Sequence, residues 1–172
     1  MLTVIKYIIF ILIVIIIRMI FNYISEAEFI KIRYMKDLIN FIEFLRIFSC
    51  DMKMQINEIV AKYKFKDVKV KKVCKELNNY INSSNNKEFK EDKFSEYIKE
   101  TLLTPDEFNK IFVQIIDYYG YSTSEVLETK LLYTQKEMLK LTDDLQMQAK
   151  ERKSFFNKIS ILIGILIAIL LI

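Results

Sequence analysis

Residues 1–21 read "MLTVIKYIIFILIVIIIRMIF". As a helix this stretch would reach about 30 Å, which matches the hydrocarbon core of a bilayer. Its two charges, Lys6 and Arg18, lie near its ends, where long side chains can extend to the membrane interface. The alternative is a cleaved signal peptide, but no small-x-small cleavage site follows the apolar run. We therefore predict a transmembrane helix over residues 1–22.

A second apolar stretch, "SFFNKISILIGILIAILLI", occupies residues 154–172. The apolar run after Lys158 is short, about 20 Å as a helix. With the preceding residues included and the Lys158 side chain extended to the membrane interface, the segment comes near the length of a span. We predict a second transmembrane helix over residues 158–172, the other leg of a hairpin. Gly164 and Ala168 form a small-xxx-small pair, a spacing that permits close helix contact in lipid and that also arises by chance in apolar runs.

Between the spans, residues 23–157 carry every Asp and Glu and every Lys and Arg except Lys6, Arg18 and Lys158. About 135 residues suffice for one compact domain. The chain has only two glycines and one proline, too few for the turns of a β-architecture. We predict an all-α protein, with a helical bundle domain between two terminal transmembrane helices.

Basic residues flank both spans on the side of this middle domain, whereas only Lys6 lies on the other side. Cytoplasmic segments next to spans carry the excess of Lys and Arg. We therefore predict that the domain is cytosolic and that both termini lie outside the cell.

The first long helix should begin at "SEAE", residues 25–28, which fits a capping box with Ser25 as the N-cap. Apolar residues then recur at spacings of three and four, which predicts one buried seam. The seam comprises Met35, Leu38, Ile42, Leu45, Phe48, Met52, Ile56 and Ile59.

Shorter helices should follow, separated by a loop at residues 83–87. Their apolar faces are also spaced by three and four residues. The first face contains Val70, Val73, Cys74, Leu77 and Ile81, and the second contains Phe94, Tyr97, Ile98 and Leu102.

A further helix is predicted from "TPDE", residues 104–107, with Thr104 as its N-cap and Pro105 at its first position. Gly120 should end it, and "STSE" at residues 122–125 should begin the last long helix, which continues towards the second span. The seam of that helix comprises Leu127, Leu131, Thr134, Met138, Leu141, Leu145 and Ala149.

The two long helices should pack antiparallel. In that arrangement three seam residues of the first helix would face three of the last. They are Leu38, Ile42 and Leu45, which would face Leu131, Met138 and Leu141 in reversed order.

Catalytic chemistry is not indicated by the sequence. It contains no His, the commonest general base, and two glycines cannot build a phosphate-binding loop. Cys50 and Cys74 lack the clustered neighbours of a zinc or redox site, so we predict two reduced, structural thiols. We expect no enzyme activity, no metal and no cofactor.

Seven lysines lie between Lys62 and Lys75. They could form a solvated face, or a site for anionic lipid or an acidic protein. Nucleic acid is disfavoured because only Tyr63 and Phe65 could stack on bases and the net charge is a mild +4. The candidate partner-binding residues here are Lys69, Lys71 and Lys72.

Three segments resemble the stage III sporulation protein AB family of spore-forming bacteria. Residues 33–52, "RYMKDLINFIEFLRIFSCDM", resemble the family's Arg-led segment, and residues 119–125, "YGYSTSE", resemble its turn at Gly120 and Ser122. Residues 148–172 resemble its basic ending followed by an apolar run with a glycine. Chain length, two terminal spans and helix order extend the resemblance over nearly the whole chain.

That family is similar to the cytosolic domains of F-type platform proteins in type II secretion and type IV pilus machines. The resemblance implies a non-enzymatic platform in the mother-cell membrane around the forespore. Its partners would be a secretion-type ATPase, stage III sporulation protein AA, and other membrane proteins of the same channel, with a homo-oligomer left open. Asp51, the one acid kept from a family motif, becomes a further candidate for partner binding. The alternative is a generic membrane-anchored coiled-coil signalling scaffold.

Overall fold

The computed structural model describes residues 2–82, 88–121 and 123–171. Within these ranges the chain is all-helical and contains no strand, as predicted. Its helices are α1 (Leu2–Arg46), α2 (Ile56–Lys62), α3 (Val68–Asn82), α4 (Glu88–Leu102), α5 (Asp106–Val113), α6 (Ile115–Tyr121) and α7 (Ser124–Leu171). A π-helical turn, Ile47–Asp51, directly follows α1.

The chain divides into two compact units. The terminal unit comprises residues 1–30 and 144–172, and the central unit comprises residues 31–143. As predicted, α7 runs into the last apolar stretch without a break. Because α1 and α7 are each continuous helices, the proposed domain limits at residues 22 and 158 coincide with no helix end and stay predictions.

In the terminal unit, α1 is long and apolar enough to cross a membrane. Its apolar window has a mean hydropathy of 2.5 and only 6% of that window is buried, unlike the core helix of a soluble protein. Among the described residues no second helix meets the same criteria, so the span over residues 158–172 stays a prediction.

Contacts within the terminal unit show that α1 and α7 run antiparallel. The rings of Phe21 and Phe156 stack with centroids 5.0 Å apart. Further along α1, the Glu28 carboxylate pairs with Arg152 at 2.7 Å. The order of the contacts is therefore reversed between the two helices.

The central unit has its own antiparallel contact between the same helices. Arg46 Nη1 lies 2.9 Å from Glu128 Oε1, and the Ser124 hydroxyl donates to the Cys50 carbonyl oxygen at 3.4 Å. The buried seams beside these contacts follow the predicted spacing. Fully or almost fully buried members are Met35, Leu38, Ile42, Leu45, Leu131, Thr134 and Met138.

The short helices complete the core of the central unit. Helix α3 packs on α2, α4 and α6, and α5 packs on α4 and α6. The predicted apolar faces of α3 and α4 are buried, with Ile81 and Tyr97 only half-buried at their margins. Their fully buried residues are Val70, Val73, Cys74, Leu77, Phe94, Ile98 and Leu102.

The first seam does not lie on one helix, which corrects the prediction. The helical path ends at Asp51, Met52 is 58% exposed, and Lys53 adopts a left-handed backbone with φ of 51°. A left-handed residue ends a helix because it turns the chain out of the helical path. The last two residues of the predicted seam, Ile56 and Ile59, are buried, but they lie on the separate helix α2.

Two predicted capping boxes are also wrong. Helix α1 passes through Ser25, whose hydroxyl donates to the Phe21 carbonyl oxygen at 2.9 Å. The Thr104 hydroxyl donates to Asn109 Oδ1 at 2.6 Å, and α5 begins only at Asp106. In both cases the hydroxyl donates to a nearby oxygen and does not accept from a helix N–H, as a cap would.

The helix predicted up to Gly120 is divided at Gln114 into α5 and α6, and Gly120 lies inside α6. The predicted cap Ser122 lies outside the described residues. In α7, Leu141 and Leu145 are only half-buried, whereas Thr142 is fully buried and its hydroxyl donates to the Met138 carbonyl oxygen at 2.7 Å. The buried face of α7 is therefore more polar than predicted.

Candidate partner-binding surface

The seven lysines form one exposed segment, which we call the lysine surface. It covers the end of α2, the linker at residues 63–67 and the first half of α3. Its members are Lys62, Lys64, Lys66, Lys69, Lys71, Lys72 and Lys75, all exposed. None of them forms an ion pair with a carboxylate in the part of the chain that the structure describes. Seven positive charges therefore lie close together without an ion-pair partner among the described residues.

Asp67 is the one acid inside this segment. Its Oδ1 accepts a hydrogen bond from the Lys69 backbone N–H at 2.8 Å, at the start of α3. This is the geometry of an N-cap, which satisfies a free N–H of the first helical turn. Asp67 therefore stabilises the helix end and forms no ion pair with a lysine side chain.

Two lysines of the surface lie over aromatic rings. Lys62 Nζ is 5.4 Å from the Phe48 centroid, and Lys69 Nζ is 5.9 Å from the Tyr34 centroid. Such contacts direct the ammonium group without neutralising its charge. Val68, 70% exposed, lies among the lysines and adds apolar area that a protein partner could cover.

The linker is attached to α1 through Asp37, a residue that the sequence did not single out. Asp37 is 2% exposed. Its Oδ1 accepts from the Tyr63 hydroxyl at 3.1 Å, and its Oδ2 accepts from the Lys66 backbone N–H at 3.1 Å. Burial, followed by the neighbouring Asp37 carboxylate, raises the pKa of Tyr63 well above its usual range. Tyr63 therefore stays a hydrogen-bond donor at neutral pH.

Asp51 is exposed at the end of the π turn, which packs against α2. The neighbouring Cys50 is half-buried, and burial, together with Glu128 and Asp51, raises the pKa of its thiol. Cys74 is fully buried, and its pKa is raised further by burial and by Asp37. Both cysteines are free, and the protonated thiol is favoured at each.

The second candidate site lies in the terminal unit at Gly164. A Cβ at this position would lie 3.1 Å from Val14 Cγ2 on α1, closer than ordinary van der Waals contact. The absence of a side chain therefore permits the close approach of the two helices. The side chain of Ala168, the other half of the predicted pair, lies outside the described residues.

A metal site would need several ligand side chains close together. Among the described residues, no three His, Cys, Asp or Glu side chains lie together in an arrangement that could bind a metal ion. Ion pairs among the described residues include Arg46 with Glu128 and Arg152 with Glu28, between α1 and α7, and Lys99 with Asp106, between α4 and the start of α5.

The family model for stage III sporulation protein AB matches residues 6–172. The chain belongs to the stage III sporulation protein AB family. No curated protein and no solved structure matches it. The family match confirms the resemblance of the three sequence segments and makes this chain a sporulation protein. In this stage III sporulation protein AB chain, the lysine surface is a group of seven exposed basic residues in the central unit that form no ion pair with the described residues.

Proposed function

We propose that the protein is a non-enzymatic membrane platform component of a sporulation secretion-like channel complex. Its central unit docks a secretion-type ATPase, similar to stage III sporulation protein AA, during endospore formation. The observation that carries the proposal is the lysine surface, whose seven charges have no carboxylate partner among the described residues. An uncompensated basic surface attracts and orients an acidic partner surface.

Membrane attachment by both terminal helices is supported by the terminal unit. Because Val14 lies against Gly164, the N-terminal part of α1 lies beside the C-terminal part of α7. Both expose apolar side chains there, an area that fits lipid better than water. The most exposed are Ile8, Ile11, Leu12, Met19, Ile161, Leu162, Leu166, Ile169 and Leu170. We infer that both helices span the mother-cell membrane around the forespore, beside other membrane proteins of the channel.

The orientation is tested by thiol labelling. In a chain carrying Cys50→Ser and Cys74→Ala, a cysteine introduced as Asn85→Cys should resist a membrane-impermeant thiol reagent in intact cells and react after lysis. The positive-inside bias places this position in the cytosol. A matched chain with Ile172→Cys should react before lysis when both chains are produced in non-sporulating cells, whose membrane faces the medium. Labelling at position 85 before lysis would contradict the proposed topology.

Docking is tested with Lys71→Ala/Lys72→Ala in the full-length chain. Both side chains are exposed, so the free energy of unfolding should change by less than about 0.5 kcal/mol. ATPase affinity should fall roughly tenfold, because two surface charge pairs contribute up to about 2 kcal/mol. The loss should be larger at low salt, where screening is weaker. Melting temperature and ATPase co-purification are measured on each variant.

The matched control is Lys136→Ala/Lys140→Ala, which removes two exposed lysines from α7. It should leave ATPase binding unchanged. If both double variants bind the ATPase equally well, Lys71 and Lys72 are ordinary solvated residues and do not contact the ATPase. A parent chain that binds no ATPase would instead favour the coiled-coil scaffold.

A further inference from the structure

Asp37 is a buried acid without a basic partner. It is 2% exposed, and no Lys or Arg among the described residues forms an ion pair with it. Among the described residues, its carboxyl oxygens accept hydrogen bonds from the Tyr63 hydroxyl and the Lys66 backbone N–H, and the same hydroxyl lies 3.3 Å from the Asp37 backbone oxygen. Burying a carboxylate with so few partners opposes folding, and an apolar residue of the same size would avoid that cost. A role other than stability therefore explains Asp37 better.

Both hydrogen-bond donors belong to the linker that bears part of the lysine surface. Tyr63 and Lys66 lie between the end of α2 and the start of α3, where no helix fixes the backbone. The rings of Tyr63 and Phe65 lie 5.4 and 5.7 Å from the ring of Phe41, one helical turn along α1 from Asp37. The aromatic rings hold the linker against α1, and the carboxylate fixes one hydroxyl and one backbone group.

We propose that Asp37 is a positioning residue for the lysine surface, and this inference rests on the proposed docking function. Its two hydrogen bonds fix the linker so that Lys64 and Lys66 keep one orientation relative to the lysines of α3. An acidic partner then meets a preformed pattern of charges and does not have to order the linker on binding. Pre-organisation of this kind raises affinity because less conformational entropy is lost in the complex.

Two substitutions separate positioning from stability. Asp37→Asn has the same shape, and its amide can accept from the Lys66 N–H while donating to the Tyr63 oxygen, so both bonds can persist. Asp37→Leu keeps the branched shape, with methyl groups in place of the two oxygens, and its side chain can form neither bond. Leucine is larger than aspartate, so overpacking should cost about 1–3 kcal/mol, which a domain with a net stability of about 5–15 kcal/mol can lose and still fold.

The experiment uses the full-length chain in lipid nanodiscs and two readouts, deuterium exchange of the peptide containing Lys66 and affinity for the ATPase. Asp37→Leu should exchange at least about tenfold faster in this peptide and bind roughly tenfold more weakly, whereas Asp37→Asn should stay within about threefold of the parent on both. Val113→Ala, buried in α5, which carries none of the seven lysines, is the control that lowers stability and leaves both readouts unchanged.

Unchanged exchange in Asp37→Leu would overturn the inference, and so would faster exchange with undiminished affinity. If Asp37→Leu does not fold, Tyr63→Phe removes one bond and keeps the ring, and it should shift both readouts in the same direction by a smaller factor. A parent that binds no ATPase overturns the proposed function, and the exchange comparison still decides whether Asp37 holds the linker.

Discussion

Replacing Leu45 and Leu131 by alanine together is expected to unfold the central unit at or near physiological temperature. Both side chains are fully buried, one on α1 and one on α7. The ion pair of Arg46 with Glu128 sets an antiparallel register that brings the two leucines to nearly the same level. Each truncation should cost about 2–5 kcal/mol, the lost burial plus the cavity left behind. Domains have a net stability of only about 5–15 kcal/mol, so the pair removes much or all of it.

The measurement is a thermal melt of the full-length chain in detergent, followed by circular dichroism. Leu132→Ala/Leu139→Ala is the control, because it makes the same change on α7 at positions that are 39% and 45% exposed. Its cost should stay below about 1 kcal/mol. A Leu45→Ala/Leu131→Ala variant that melts with the parent would show that the two long helices do not share this core.

Substituting Gly164 by leucine is expected to separate the two helices of the terminal unit. Even a Cβ would lie 3.1 Å from Val14 Cγ2, so a leucine side chain cannot be accommodated without moving α1. Overpacking of this kind costs about 1–3 kcal/mol. In lipid, helices associate through close packing and gain no hydrophobic stabilisation from pairing, so little compensates for that cost.

Separation is measured by cross-linking a Phe21→Cys/Phe156→Cys chain, free of the native cysteines, with a short bismaleimide. These positions are in contact in the parent, where the two rings stack. Gly164→Leu should abolish most of the cross-link, and adding Val14→Ala should restore part of it. Ile169→Phe adds bulk at a position of α7 that is 70% exposed and should have no effect. Full cross-linking in Gly164→Leu would contradict close packing at this glycine.

Helices whose pattern is local could be predicted from the sequence. Val70, Val73 and Leu77 are spaced so that one face of a helix is apolar, and that face is buried in α3. Helix α7 continues to Leu171 because the sequence after Ser124 contains no proline. Its single glycine, Gly164, lies inside the apolar run and does not end the helix. In α3 the sequence spacing is enough to identify the buried face, whereas in α7 it predicts the length of the helix but misses the burial of Thr142 in place of Leu141.

Features that depend on distant contacts could not be predicted. The break before α2 has no glycine or proline, and Phe48 at that break stacks on Phe44, 4.1 Å away, which in turn contacts Tyr63. Asp37 is 26 and 29 residues from its donors Tyr63 and Lys66, so no local pattern identifies it. The lysine surface was visible as a run of charges, but its lack of carboxylate partners is a property of the folded chain.

Docking of the ATPase on the lysine surface is tested most directly by the Kd of the ATPase for the full-length chain in nanodiscs. The Kd is measured at several salt concentrations and again with Lys71→Ala/Lys72→Ala. We expect saturable binding by the parent that weakens as salt rises, and weaker binding with a smaller salt dependence for the variant. Absence of saturable binding at low salt, or identical salt dependence in parent and variant, would contradict the account.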